Sequence, residues 1–375
     1  MGINGKDSIK QFNMLKGEIC KSEENMEEKR KMQLDEITIM RPILICIFLV
    51  GYHSFAPWGG VWEMPEAIKG EDVPTYFWLD KFLYSFMLET FTFVSGYIFA
   101  FQLIEQKREY TIGNLAWGKF KRLVVPCLLF SALYSFLCYN WDGWWKYVYD
   151  IICGLGHLWF LPMLFWCFIL TFYIEKIKMN YWIKLAALLA LSFISNGYGN
   201  DMPLRLGYVC YYLFFFYLAF GIFKCKEIIL HRIAMTRKAW LVFILFVITF
   251  VFLTLITYFP SSPLSVSIGH YGYKVICHIS SIVYSSLGLM SFYLLVIRYV
   301  FNGFKPPKIT LCLNPLCMGI YILHNFVLSL IYEKTILPSI LGTYLLPWSS
   351  YVFALTGGII GTFLLRKTKV GKAIC

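Results

Sequence analysis

Long apolar stretches alternate with short polar segments from Pro42 to Leu365. About 20 apolar residues in a helix cross the hydrocarbon of a bilayer. Ten stretches fit: Pro42–Ala56, Phe82–Leu103, Leu123–Tyr139, Leu158–Tyr173, Trp182–Ser195, Leu206–Phe223, Trp240–Phe259, Val275–Ile297, Pro315–Ile331 and Tyr344–Leu365. They are read as helices because backbone amides in lipid must be satisfied within the segment. A transmembrane barrel would alternate with period two, and a run such as LVFILFVITFVFL (Leu241–Leu253) does not. The first 40 residues instead mix acids and bases (Lys21, Glu23, Glu24, Glu27, Glu28, Lys29, Arg30, Lys31), which predicts a solvated or surface-lying helix. The pattern predicts an all-α polytopic membrane protein. Its parts are a polar cytoplasmic extension (1–40), a ten-helix domain (41–366) and a basic tail (367–375).

The fifth stretch is short, and charge decides for it. With ten spans and an inside N-terminus, only six of the 34 Lys and Arg fall outside: Lys69, Lys81, Lys146, Arg205, Lys274 and Lys334. Removing the fifth span would put Lys224, Lys226, Arg232, Arg237 and Lys238 outside, against the positive-inside rule. Both termini are therefore predicted to be cytoplasmic, in a plasma (inner) membrane.

The net charge of +12 then reads as topology and not as a nucleic-acid footprint. Composition agrees: 58% apolar, 19% aromatic and only 15% charged, with a mean hydropathy of +0.61. That excludes a disordered chain and a secreted disulfide scaffold. The 12 Cys sit mostly inside apolar stretches without CxxC pairs, which reads as packing and predicts no metal site. The polar first 40 residues hold no secretory h-region.

Ionisable groups at membrane depth are costly, so each is a functional candidate. Arg41 stands at the inner mouth of the first span, before Pro42 at a favourable first-turn position, and His53 lies roughly 18 Å farther along it. Glu89 is the only acid well inside any predicted span. His157 opens the fourth span, and His278 and His324 lie in the eighth and ninth. An inner cation and a deeper imidazole suit a substrate that enters from the cytosol and reacts within the membrane.

Six segments resemble, in order, motifs of the membrane acyltransferase-3 family. They are RPILICIFLVGYHSFAPW (Arg41–Trp58), FTFVSGYIFA (Phe91–Ala100), KFKRLVVP (Lys119–Pro126), GHLWFLPMLF (Gly156–Phe165), YYLFFFYLAFGI (Tyr211–Ile222) and GIYILHNFVL (Gly319–Leu328). The resemblance covers about residues 38–366. It implies transfer of an acyl group, usually acetyl from acetyl-CoA, to hydroxyls of cell-envelope sugars, and a functional Arg–His pair that maps to Arg41 and His53. One feature departs from the family: ten residues usually separate that pair, and here eleven do, Pro42 to Tyr52. On a regular helix the extra residue turns the two side chains from about 20° apart to about 120° apart. Either the facing arrangement is not needed, or the helix absorbs one residue, with Gly51 a place for a π-bulge, or Arg41 reaches around from the helix start.

The chemistry assigns roles. Acyl transfer to an alcohol needs a base, and imidazole suits it. A carboxylate on the other ring nitrogen would fix the tautomer, and Glu89 is the candidate. Arg41, Lys119, Lys121 and Arg122 form an inner basic cluster able to hold coenzyme A phosphates. Ser95 (with Gly96), His157, Trp159, Tyr321 and His324 are candidate cavity-lining residues. Trp58, Trp62, Trp141, Trp144, Trp145 and Tyr147 read chiefly as interfacial anchors, with stacking on a sugar as the alternative. The expected partners are acyl-CoA, a glycan or sugar acceptor and the bilayer; a homodimer is left open. The rival reading is an exporter of lipid-linked sugars, which would more often show two similar halves; no internal repeat is visible.

Overall fold

The computed structural model describes residues 34–138, 144–198, 205–258 and 263–374. Among the described residues there is no strand, and nine helices are long and apolar enough to cross a membrane. In chain order they are α1 (Asp35–Phe55), α2 (Pro74–Ile104), α3 (Ile112–Leu137), α4 (Gly156–Lys176), α6 (Leu206–Lys224), α7 (Lys238–Thr257), α8 (Gly272–Phe301), α9 (Lys308–Lys334) and α10 (Leu337–Leu365). Between α4 and α6 runs α5, a shorter apolar helix at Tyr181–Phe193. The fifth stretch is thus a helix, and a short one. A final helix, α11, covers Lys369–Ile374. Most of the predicted 1–40 extension lies outside the described residues.

Two helix starts differ from the sequence reading. α1 begins at Asp35 and not at Arg41, with Glu36, Ile37, Thr38, Ile39 and Met40 buried. Pro42 is therefore internal and not in the first turn. The buried Glu36 explains the longer helix: its carboxylate accepts from Tyr97 Oη at 2.9 Å and Lys226 Nζ at 2.6 Å. α2 begins at Pro74 and not at Phe82, which draws Asp80 and Lys81 into the fold as a buried ion pair at 3.3 Å. Lys81 Nζ also donates to the Gly59 carbonyl at 2.6 Å, tying the α1–α2 loop down. Glu89 is consequently one of several buried acids.

Helix α1 is the hub. It touches α2, α8, α9 and α10, whereas α7 turns Leu241, Ile244, Ile248 and Phe252 outward. An all-round apolar helix with one exposed face is what a lipid-facing position allows. Packing is closest where glycine permits it: a Cβ on Gly96 of α2 would overlap the backbone carbonyl of Phe216 in α6. Breaks in the helices are repaired by neighbours. At the α2 break around Ser85, the freed carbonyl accepts from Ser285 Oγ of α8 at 2.6 Å. At Gly342 (φ 61°) α10 kinks, and Thr343 there hydrogen-bonds Glu71 of the α1–α2 loop.

Candidate active site

Arg41 and His53 both belong to α1, and the backbone between them is not a regular α-helix. Leu44–Leu49 forms a π-helical segment, in which the Val50 N–H reaches back to the Ile45 carbonyl. A π turn takes up one extra residue. The π turn lies one turn before Gly51, which sits in the regular helix Val50–Phe55, and it offsets the one-residue excess that the family resemblance implies. Pro42 lies two residues before this segment, and its missing N–H leaves the Thr38 carbonyl without its α-helical donor.

His53 is buried, and its Nδ1 lies 2.9 Å from Nε2 of His324 on α9. His324 Nδ1 lies 3.0 Å from the Ile320 carbonyl one turn back. A carbonyl only accepts, so in neutral rings His324 carries its proton on Nδ1 and offers a lone pair at Nε2. That lone pair takes the proton of His53 Nδ1. His53 Nε2 is left bare, the state a general base requires. Backbone, His324 and His53 form a relay that fixes a tautomer without any carboxylate.

Glu89 does not fill the place expected for it. Its Oε1 accepts from Tyr211 Oη at 2.9 Å, and Tyr211 in turn meets Ser281 Oγ at 3.2 Å. Glu89 belongs to the α2–α6–α8 contact. The sequence could not distinguish a carboxylate aimed at α1 from one aimed at α6, because both faces of α2 are apolar and aromatic.

His157, in the 3-10 turn Gly156–Trp159 that opens α4, completes a three-histidine cluster. Its ring centroid lies 5.8 Å from that of His53 and 5.0 Å from that of His324. Both its ring nitrogens are buried without a hydrogen-bond partner among the described residues. Tyr321, one turn before His324, donates its hydroxyl to the His157 backbone carbonyl. On the other side, Trp62 stacks on His53 at 5.6 Å and 20°. Trp62 and the buried Trp58 are thus packed into the fold and are not interfacial anchors, whereas Trp144 and Trp145 are exposed. Trp159 faces away from the histidines, stacking near Tyr208 and Tyr212.

A cavity of about 670 Å³ opens at the Arg41 end of the bundle and ends at Phe160 and Tyr321, immediately before the histidines. Its charged lining is Arg41, Lys119, Arg122, Arg366 and Lys372. No carboxylate lies within ion-pair distance of any of the five among the described residues. Ser95 also lines it, so Ser95 is polar lining while Gly96 does the packing. Lys119 rests its ammonium over Phe168 at 3.5 Å. Lys121 is outside the cavity, exposed and over Trp117. Of the inner basic cluster expected from sequence, three members converge and Lys121 does not. Arg366 and Lys372 went unnoticed because a basic tail after a last span reads as ordinary positive-inside charge.

Residues 36–367 match the acyltransferase-3 family model, described as an acyltransferase domain. The chain belongs to the acyltransferase-3 family. No curated protein and no solved structure matches the chain. As a multi-pass membrane acyltransferase, the protein has its three-histidine cluster at the end of a basic cavity.

Proposed function

We propose that this acyltransferase moves acetyl from acetyl-CoA, bound from the cytosol, to a hydroxyl of a cell-surface or exopolysaccharide sugar. The carrying observation is the placement of a tautomer-fixed His53 directly behind a cavity whose cations have no counter-ion among the described residues. Five cations around about 670 Å³ suit a donor with several phosphates and a long arm. The family resemblance supports acetyl and a sugar hydroxyl as the transferred group and the acceptor. In this reading both termini and the cavity mouth face the cytosol of a plasma membrane, and the acceptor comes to His53 from the Trp62 side.

His53 Nε2 removes the acceptor hydroxyl proton as that oxygen attacks the thioester carbonyl. The tetrahedral oxyanion is met by the ring N–H of His157, which lies beside His53 and His324. Collapse breaks the carbon–sulfur bond, and the CoA thiolate takes the proton back from His53. The ester and free CoA leave with protons and charge balanced. Tyr321 and Phe160, the wall between cavity and cluster, must yield to admit the thioester.

The test uses purified protein in nanodiscs, acetyl-CoA and a soluble oligosaccharide acceptor. His53→Ala should lower transfer by ~10²-fold or more, the scale for losing acid–base catalysis. Wild-type transfer rates in a folded His53→Ala protein would end this mechanism. A wild-type protein that binds no acetyl-CoA yet moves lipid-linked sugars across liposomes would make it an exporter. Mass spectrometry of host surface glycans with and without the protein identifies the acceptor.

A further inference from the structure

After α10 the chain reverses sharply. The N–H groups of Lys367 and Thr368 close on the carbonyls of Leu364 and Leu365 at 3.1 and 2.9 Å, and the Gly371 N–H bonds Thr368 Oγ1 at 2.9 Å. Residue 371 must be small for this: a Cβ there would overlap the Leu365 carbonyl. α11 then packs back against the π-helical turn Phe120–Val124 of α3, which carries Arg122. Arg366 is held in place by its Nη1 bond to the Pro315 carbonyl at 3.2 Å. The reversal brings Lys372 to the cavity that also holds Arg41, Lys119 and Arg122. Folding a cation back onto three others costs Coulomb energy unless an anion lies between them.

We propose that Arg366–Ile374 is a strap that closes over the phosphates of the acyl donor. Lys372 and Arg366 then distinguish a nucleotide-bearing thioester from a short one. The proposal rests on the cavity being the donor site. It adds that the tail, outside the helical bundle, is part of the binding machinery and supplies donor specificity. Gly371 is the positioning residue that lets the strap turn back.

Full-length protein is compared with Lys372→Ala, Lys372→Arg and Gly371→Ala in CoA binding. Transfer kinetics are then measured with acetyl-CoA and with S-acetylpantetheine, which lacks the nucleotide phosphates. Lys372→Ala should weaken CoA binding and raise KM for acetyl-CoA by ~3–10-fold, the scale of one net hydrogen bond from an exposed side chain. The loss with S-acetylpantetheine should be at least ~3-fold smaller. Lys372→Arg should retain wild-type affinity, Gly371→Ala should resemble Lys372→Ala, and the deficit should shrink at high salt. CoA affinity unchanged in Lys372→Ala, or equal losses with both donors, would overturn the strap. If the wild-type protein itself fails to bind CoA, the donor reading beneath it falls, and the wild-type measurement alone tells that apart.

Discussion

Replacing His324 with alanine removes the acceptor of the His53 Nδ1–H bond, a contact of 2.9 Å between fully enclosed rings. A buried bond of this kind contributes about 1–1.5 kcal/mol net. Without it the tautomer ratio of His53 shifts about tenfold for about 1.4 kcal/mol, so the fraction with Nε2 free falls only about twofold, and the Leu49 backbone remains a hydrogen-bond partner of the ring. The emptied ring site also lets the His53 imidazole rotate, so kcat should fall by ~2–10-fold, well short of outright loss of the base. KM for acetyl-CoA should barely move, because His324 is not among the cavity-lining residues. His324→Gln offers an amide oxygen in place of the imidazole lone pair and should recover part of kcat. Steady-state release of CoA thiol, measured on protein that stays monodisperse on gel filtration, gives both constants. A folded His324→Ala enzyme with wild-type kcat, or one whose deficit lies wholly in KM, would refute the relay.

Three further outcomes follow. Arg122→Ala should raise KM for acetyl-CoA several-fold while Lys121→Ala, altering an exposed side chain outside the cavity, should not; donor titrations compare them directly. Glu89→Gln and His53→Ala should be nearly additive in transfer rate, with a coupling below ~0.5 kcal/mol, since no hydrogen bond joins them; a larger coupling in the double-mutant cycle would reinstate Glu89 as partner. Cysteine-accessibility labelling should find positions near Arg232 on the cytosolic side and positions near Lys69 on the opposite one, and Arg232 labelled from outside would sink the topology.

The helical architecture was legible because apolar length is a one-dimensional quantity that a sequence carries directly. Loop charge argued for the fifth stretch, which the structure makes a short apolar helix, α5. Helix starts were less so: Asp35–Met40 and Pro74–Lys81 carry charges that look like solvent-facing residues until their partners are known. Those partners, Tyr97 and Lys226 for Glu36 and Gly59 for Lys81, lie far away in the chain. At the site, His53, Arg41 and Arg122 were visible as costly residues at helix positions. The partnership of His53 with His324, 271 positions apart, was not, because it depends on which helices touch. Chemistry favours a carboxylate for that role, and Glu89 is the only acid well inside a predicted span. The fold used a backbone carbonyl working through a second imidazole.

The π-helical segment at Leu44–Leu49 bears on how such proteins change over generations. A single-residue insertion in a membrane helix either rotates everything downstream by about 100° or is swallowed within one turn. The second outcome leaves His53 presented to α9 and every lipid-facing residue still facing lipid. Length variation inside a spanning helix is therefore survivable where one turn can widen to π geometry. A search pattern that counts residues between the arginine and the histidine would pass over this chain, whereas one that compares their angular position about the helix axis would retain it.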